Sequence, residues 1–292
     1  EYVLFSQAAF VALFHLVNHS TFKGALFMVI GIIDLQVGTR DIRRLGGLMT
    51  LMPISFTIAL IGSFSMAGLP PFNGFLSKEM FFTAVLSVKE LHIFSLETFG
   101  SLFPWIAWGA SVLTFVYCLI IVFKTFLGKL HNHGDHWENK EAEEAPLGML
   151  LAPITLASLV VIIFFYPNVI GDYLLRPAVA GIFPTLTLNE NIIPPITAWH
   201  GFNTELIMTI GIIVLGTFIY FFLKYWNYVY RLFPKKWSFD RIHNSIIEGA
   251  EKGSTRITTT YMTGFLRDYL VYIFLFFILS LGGYMIYAKV LS

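Results

Sequence analysis

The chain has 292 residues, of which 56% are hydrophobic and only 13% charged, with a mean hydropathy of +0.71 and a net charge of +1. Soluble globular proteins carry about a quarter charged residues. This composition therefore excludes an ordinary cytosolic enzyme, a nucleic-acid binder and a disordered chain, and it predicts an all-α polytopic membrane protein surrounded by lipid. Cys118 is the single cysteine, so no disulfide can form within the chain. Glu1 rather than Met stands first. The expectation is a piece of a longer polypeptide.

A spanning helix needs about 20 mostly apolar residues. Residues 3–34, 103–127, 147–166, 204–223 and 268–290 meet that requirement. Residues 49–89 are also apolar but are interrupted by Gly68-Leu69-Pro70-Pro71-Phe72-Asn73-Gly74. Proline removes a helical hydrogen bond and biases the preceding residue away from helix. Two adjacent prolines between Gly68 and Gly74 thus mark a break. We read one discontinuous span here, and about six transmembrane spans in all. Residues 129–146 read as a solvated loop, 167–202 as a proline-rich connection, and 226–265 as an amphipathic interfacial segment. In that last segment Trp237, Phe239, Ile242, Ile246 and Ile247 alternate with Lys235, Lys236, Arg241, His243 and Glu248.

Loop charge orients the spans. With 49–89 taken as one span, the connections on one side carry fourteen Lys and Arg and those on the other only Lys89, Arg176 and Lys289. The positive-inside rule puts the rich side in the cytoplasm and the end of the chain outside.

Two lysines fall inside apolar spans, at a cost of about 2.5–3.5 kcal/mol for each near a helix centre. Lys23 follows His15 and His19 at spacings of four. Each such step turns about 40° and rises about 6 Å, so the three form one stripe. Asp34 falls close to the same line. Histidine exchanges protons near neutral pH, which suits a relay. A lone His in an apolar helix is ordinarily a packing residue, and Lys23 could snorkel to an interface; three residues in register favour the relay. Lys78 stands four residues after Gly74, near the start of the second half-helix, where broken helices line ion sites in transporters. An ion pair with Glu79 is the bland alternative, although the two point about 100° apart on a helix.

Other signals are weaker. His131, His133, Asp135 and His136 have metal-like composition within a polar loop, which reads as solvated. Glu205 begins a span beside His200-Gly201-Phe202-Asn203, as a helix-start carboxylate or part of an outer ion entrance. There is no phosphate loop, Cys cluster or haem motif, so neither a cofactor nor a metal site is expected.

Three motifs in order carry a family resemblance: His15-Leu16-Val17-Asn18-His19-Ser20-Thr21-Phe22-Lys23-Gly24-Ala25-Leu26-Phe27, then Arg40-Asp41-Ile42-Arg43-Arg44-Leu45-Gly46-Gly47-Leu48, then Gly68 through Glu79. Together they resemble the antiporter-like subunits of respiratory complex I and of the Mrp (Mnh) cation/proton antiporters. Residues 199–206 are similar to the large-subunit branch of the Mrp group, and the stretch from Phe239-Asp240-Arg241 to Arg267-Asp268-Tyr269 resembles the segment before the last common helix of both that branch and the complex I subunit.

The resemblance implies a division into 1–128, an ion-translocating part, and 129–292, C-terminal helices with the amphipathic segment. It also implies a multisubunit sodium/proton antiporter in a bacterial inner membrane, with other Mrp subunits as partners and protons and sodium ions as cargo. His15 and His19 would relay the proton, Lys23 would hold it and Lys78 would pass it on, with Asp34, Glu79 and Glu205 as secondary candidates. The alternatives are a redox-driven proton-pumping subunit or a structural one that transports nothing.

Overall fold

The computed structural model describes residues 2–90, 100, 102–128, 143–183, 195–197, 199, 201–232 and 239–291. Among these the chain is helical, with no strand. It divides into two compact units, 1–223 and 224–292.

Helix α1, Tyr2–Val37, has 36 residues and no internal proline. At 1.5 Å per residue it is ~54 Å long, well beyond the ~30 Å hydrocarbon core. The chain then turns through a short connector into α2, Pro53–Ala67, which starts on a proline at its first position. That placement is favoured, because the first N–H lacks a helical partner anyway. Helix α2 ends at Gly68, whose φ of +81° only glycine adopts easily. There the Leu69 N–H donates to Phe64 O and the Gly68 N–H to Ser65 O, closing the last turn. Helix α3, Asn73–Leu86, follows after the Pro70–Pro71 pair. With 15 and 14 residues, α2 and α3 are each too short to cross the hydrocarbon core. The expected discontinuous element is present, with its break where the glycines and prolines lie.

Helix α4, Leu102–Val122, runs on through a wider turn at Phe123–Leu127, and α5 covers Leu147–Phe165. Helix α6 spans Thr204–Leu232. Among the described residues five helices are long and apolar enough to cross a membrane: Phe5–Val37, Leu102–Leu127, Leu147–Phe165, Thr204–Leu223 and Leu266–Met285. Each matches a stretch predicted from the sequence.

In the first unit, Phe22, Leu26 and Val29 of α1 pack with Ile58 and Ala59 of α2, Phe82 of α3, Phe115 of α4 and Val160 of α5. Phe10 and Phe14 join Phe75, Leu76 and Ile163 in a second cluster. Between helices in lipid, association rests on close packing and buried hydrogen bonds. Small residues permit that approach. A Cβ at Gly62 would fall 2.9 Å from Leu26, and one at Gly216 would fall 2.6 Å from Phe115.

The second unit contains α7, Phe239–Tyr261, and α8, Leu266–Leu291. The segment expected to be amphipathic, 226–265, includes the end of α6 and all of α7. Helix α6 runs on to Leu232, because nothing breaks its pattern before Pro234, and α7 follows as an amphipathic helix. Lys235, Lys236 and Trp237 lie outside the described residues. The connection predicted over 167–202 is partly helical, at Pro167–Ile170 and Arg176–Ile182. Its prolines start those short helices rather than excluding helix. The His131–His136 cluster falls outside the described residues, as does His200.

Candidate functional site: a polar cluster at the helix break

The break brings α1, α2 and α3 together around a buried polar network. Asn73, fully buried at the start of α3, is its hub. Its Oδ1 accepts from the Ser65 hydroxyl at 2.7 Å, and its Nδ2 donates to Thr21 Oγ1 at 3.1 Å. Its backbone carbonyl accepts from Asn18 Nδ2 at 3.2 Å. Ser65 Oγ in turn accepts from the Gly74 N–H at 3.1 Å. A Cβ at Gly74 would collide with the Ser65 carbonyl, so glycine is what lets the two half-helices approach. Asn18 Oδ1 is buried without a partner, so the network is satisfied except at that atom; buried polar groups without partners cost about 1–3 kcal/mol each.

The predicted lysine of α3 reaches back across the break. Lys78 Nζ donates to the carbonyl of Ala67, the last residue of α2, at 2.9 Å. Its aliphatic stem lies over Gly68, where a Cβ would fall 2.5 Å from Lys78 Cδ. The sequence places Lys78 near the positive start of α3. The structure adds that its ammonium meets the negative end of α2, where a cation is favoured.

Along α1 the His15, His19 and Lys23 stripe forms as the spacing predicts. The rings of His15 and His19 are 6.0 Å apart, centre to centre, and His19 packs edge-on against Phe22. His15 Nδ1 and Ser77 Oγ lie 3.2 Å apart, and the Ser77 hydroxyl donates to Gly74 O. The arrangement consistent with both is donation from Nδ1–H to Ser77. Both histidines lie at the surface of the described segment, whereas Lys23 is half-buried with Nζ 5.9 Å from the centre of the Tyr117 ring. The Tyr117 hydroxyl contacts Met66 Sδ at 3.0 Å, which ties α4 to the last turn of α2.

The secondary candidates divide. Glu79 is buried and accepts from Asn203 Nδ2 at 3.0 Å, while Glu205 accepts from Thr83 Oγ1 at 2.9 Å. Asn203 also accepts from the Leu206 N–H, capping α6. Glu79 and Glu205 therefore fasten α3 to the start of α6. Asp34 stays near the far end of α1, about 16 Å along the axis from Lys23, and it does not join the cluster.

Sequence reasoning did not single out Asn18, Thr21, Ser65, Asn73, Ser77 or Asn203. A signal existed for two of them. Asn18 and Thr21 follow His15 in steps of three along an otherwise apolar helix, which keeps them near one face.

Residues 3–104 match the family model described as NADH:quinone oxidoreductase/Mrp antiporter, TM. Over 280 residues the chain is 54% identical to the A-subunit of the Na+/H+ antiporter of Bacillus subtilis (strain 168), covering 96% of this chain and 35% of that protein. The chain is similar to Na+/H+ antiporter A-subunits along nearly its whole length. It is also 48% identical over 283 residues to the corresponding A-subunit of Alkalihalophilus pseudofirmus, covering 95% of this chain and 34% of that protein. The chain thus spans about a third of the length of the curated relatives it matches. The same fold occurs in the Mrp complex from Dietzia sp. DQ12-45-1b, with a TM-score of 0.59 at 24% identity over 97% of this chain and 28% of that one. An archaeal membrane-bound sulfane sulfur reductase has a TM-score of 0.50 at 22% identity over 94% of this chain and 47% of that one. The match of residues 3–104 to this transmembrane family model and the five apolar helices among the described residues make the chain a multi-pass membrane protein.

Proposed function

We propose that the chain forms part of the proton path of a multisubunit sodium/proton antiporter, working beside other Mrp-type subunits in a bacterial cell membrane with the end of the chain outside. The observation that carries the antiport reading is the identity to Na+/H+ antiporter A-subunits along nearly the whole chain. The contact of Lys78 with Ala67 at the break supports the path.

In this reading His19 and His15 exchange a proton with Ser77 within reach, each group able both to donate and to accept. Lys23 holds the proton midway along α1 and Lys78 passes it across the break. The Lys78 amine keeps N–H donors after losing its proton, so it can stay against the Ala67 carbonyl while its charge changes. A charge on one lysine repels a charge on the next, which couples the two sites. Each elementary charge crossing 100 mV is worth about 2.3 kcal/mol, enough to drive such exchange.

The test is sodium-dependent proton flux in vesicles carrying the full complex, with Lys23→Ala and Lys78→Ala at matched assembly. The proposal expects loss of flux in each. Normal transport in both would make these lysines structural. A complex silent to sodium but responsive to a quinone-linked electron donor would replace antiport with redox-driven pumping.

A further inference from the structure

Helix α2 begins without a cap of its own. Met52 occupies the N-cap position and makes no side-chain cap, and Pro53 has no N–H. The first donors in need of partners are the N–H groups of Ile54 and Ser55. Both are taken by one residue from far along the chain. Glu144 Oε2 accepts from Ile54 N at 2.7 Å and from Ser55 N at 3.2 Å, while Oε1 accepts from the Ser55 hydroxyl at 2.6 Å. Glu144 lies just before α5, in a stretch that the sequence reads as solvated loop. At its other end α2 holds the Lys78 ammonium through Ala67 O. This one short helix therefore carries a carboxylate at its positive end and an ammonium at its negative end, the arrangement its dipole favours.

We infer that Glu144 is a positioning residue for Lys78, acting through α2. The inference rests on the proton-path reading of Lys78. A short helix held at one end can tilt about that end, and its last carbonyls, which lie along the axis, turn with it. The Ser65, Asn73 and Gly74 contacts hold α2 at the break. Glu144 is the second anchor, about 16 Å from Ser65 along the axis, and with both in place the direction of the Ala67 carbonyl is set. Small errors in the placement of a reacting group cost large factors in rate, so an anchor this distant still matters to proton transfer.

The experiment uses the full-length protein in the intact complex with Glu144→Ala, Glu144→Gln and Glu144→Asp, and with Glu143→Ala as control. Amide hydrogen exchange is followed over 53–58 and 64–70, and flux is measured against sodium concentration. Loss of the cap in Glu144→Ala should raise exchange at Ile54 and Ser55 by ~5-fold or more. Maximal flux should fall by a similar factor while the half-saturating sodium concentration stays unchanged. Glu144→Asp should restore both in part. Glu144→Gln, which keeps one acceptor, should lie between wild type and Glu144→Ala, and it carries the test if Glu144→Ala fails to assemble. Glu143→Ala should change neither. Faster exchange with undiminished flux would make Glu144 a cap and nothing more. Unchanged exchange would show that the clamp is absent, and a rise in half-saturating sodium would move its role to cation binding; any of these three results overturns the inference. Lys78→Ala, run in parallel, separates the two ideas. Retained transport there sinks the proton path and this role with it, while the exchange data still report whether the cap exists.

Discussion

Asn73 and Gly74 decide whether the break can exist in its observed form. The Asn73 side chain bonds Ser65 and Thr21 at once, and its carbonyl accepts from Asn18 Nδ2. Asn73→Ala would strip partners from two buried hydroxyls, at a cost of about 1–3 kcal/mol. Gly74→Ala would press a methyl group into the Ser65 carbonyl and force the half-helices apart, at about 1–3 kcal/mol or more. Thermal unfolding of the purified complex should register both as a lowered midpoint, and an unchanged midpoint in Gly74→Ala would contradict the close approach described here. The lysines, histidines and the Gly-Leu-Pro-Pro-Phe-Asn-Gly stretch were legible in the sequence because a charge in an apolar run and a double proline each carry a cost that needs a reason. The hub was not legible, because a single Asn after a turn looks like any other turn residue. Glu144 was still less so, since its partners lie 89 and 90 residues away.

Among the elements, the connector after α1 shows what the charged loops do. Arg43 binds Asp41 through its guanidinium, with an Nη2–Oδ2 distance of 2.8 Å, and through its backbone N–H at 3.0 Å. These hydrogen bonds hold the Asp41 carboxyl down to about 2. An unfolded Asp titrates near ~3.9. Because the folded value is the lower one, the pair favours the folded turn above that unfolded value. The benefit is lost as pH falls from about 4 toward 2. Arg43→Ala should therefore lower the unfolding midpoint slightly at pH 6 and make progressively less difference on acidification to pH 3. Arg43 is exposed and Asp41 half-buried at the surface, so the effect is small and weakens in salt. Helix boundaries were legible to within a few residues wherever apolar length set them, as in α4 and α5. They were not legible where helix continued through polar or aromatic sequence, as at the end of α6 and over 167–182. There local composition resembles a loop, and only the packed fold shows otherwise.

For the whole molecule, the two units carry different information. The first unit, 1–223, holds the break, both lysines and all the contacts that join α1, α2, α3 and α6. Its helix inventory followed from hydropathy, and its motifs pointed to the antiporter subunits that the chain is similar to. The central claim is that Lys78 gives up and regains a proton while it stays against α2. Flux through the full complex carrying Lys78→Arg tests this most directly. Arginine keeps the positive charge and the reach to the Ala67 carbonyl, but it does not deprotonate in proteins. The account predicts that Lys78→Arg assembles normally and loses sodium-dependent proton flux as fully as Lys78→Ala does. Flux near the wild-type level in Lys78→Arg would show that Lys78 serves as a fixed countercharge to α2, and the proton path would have to run elsewhere.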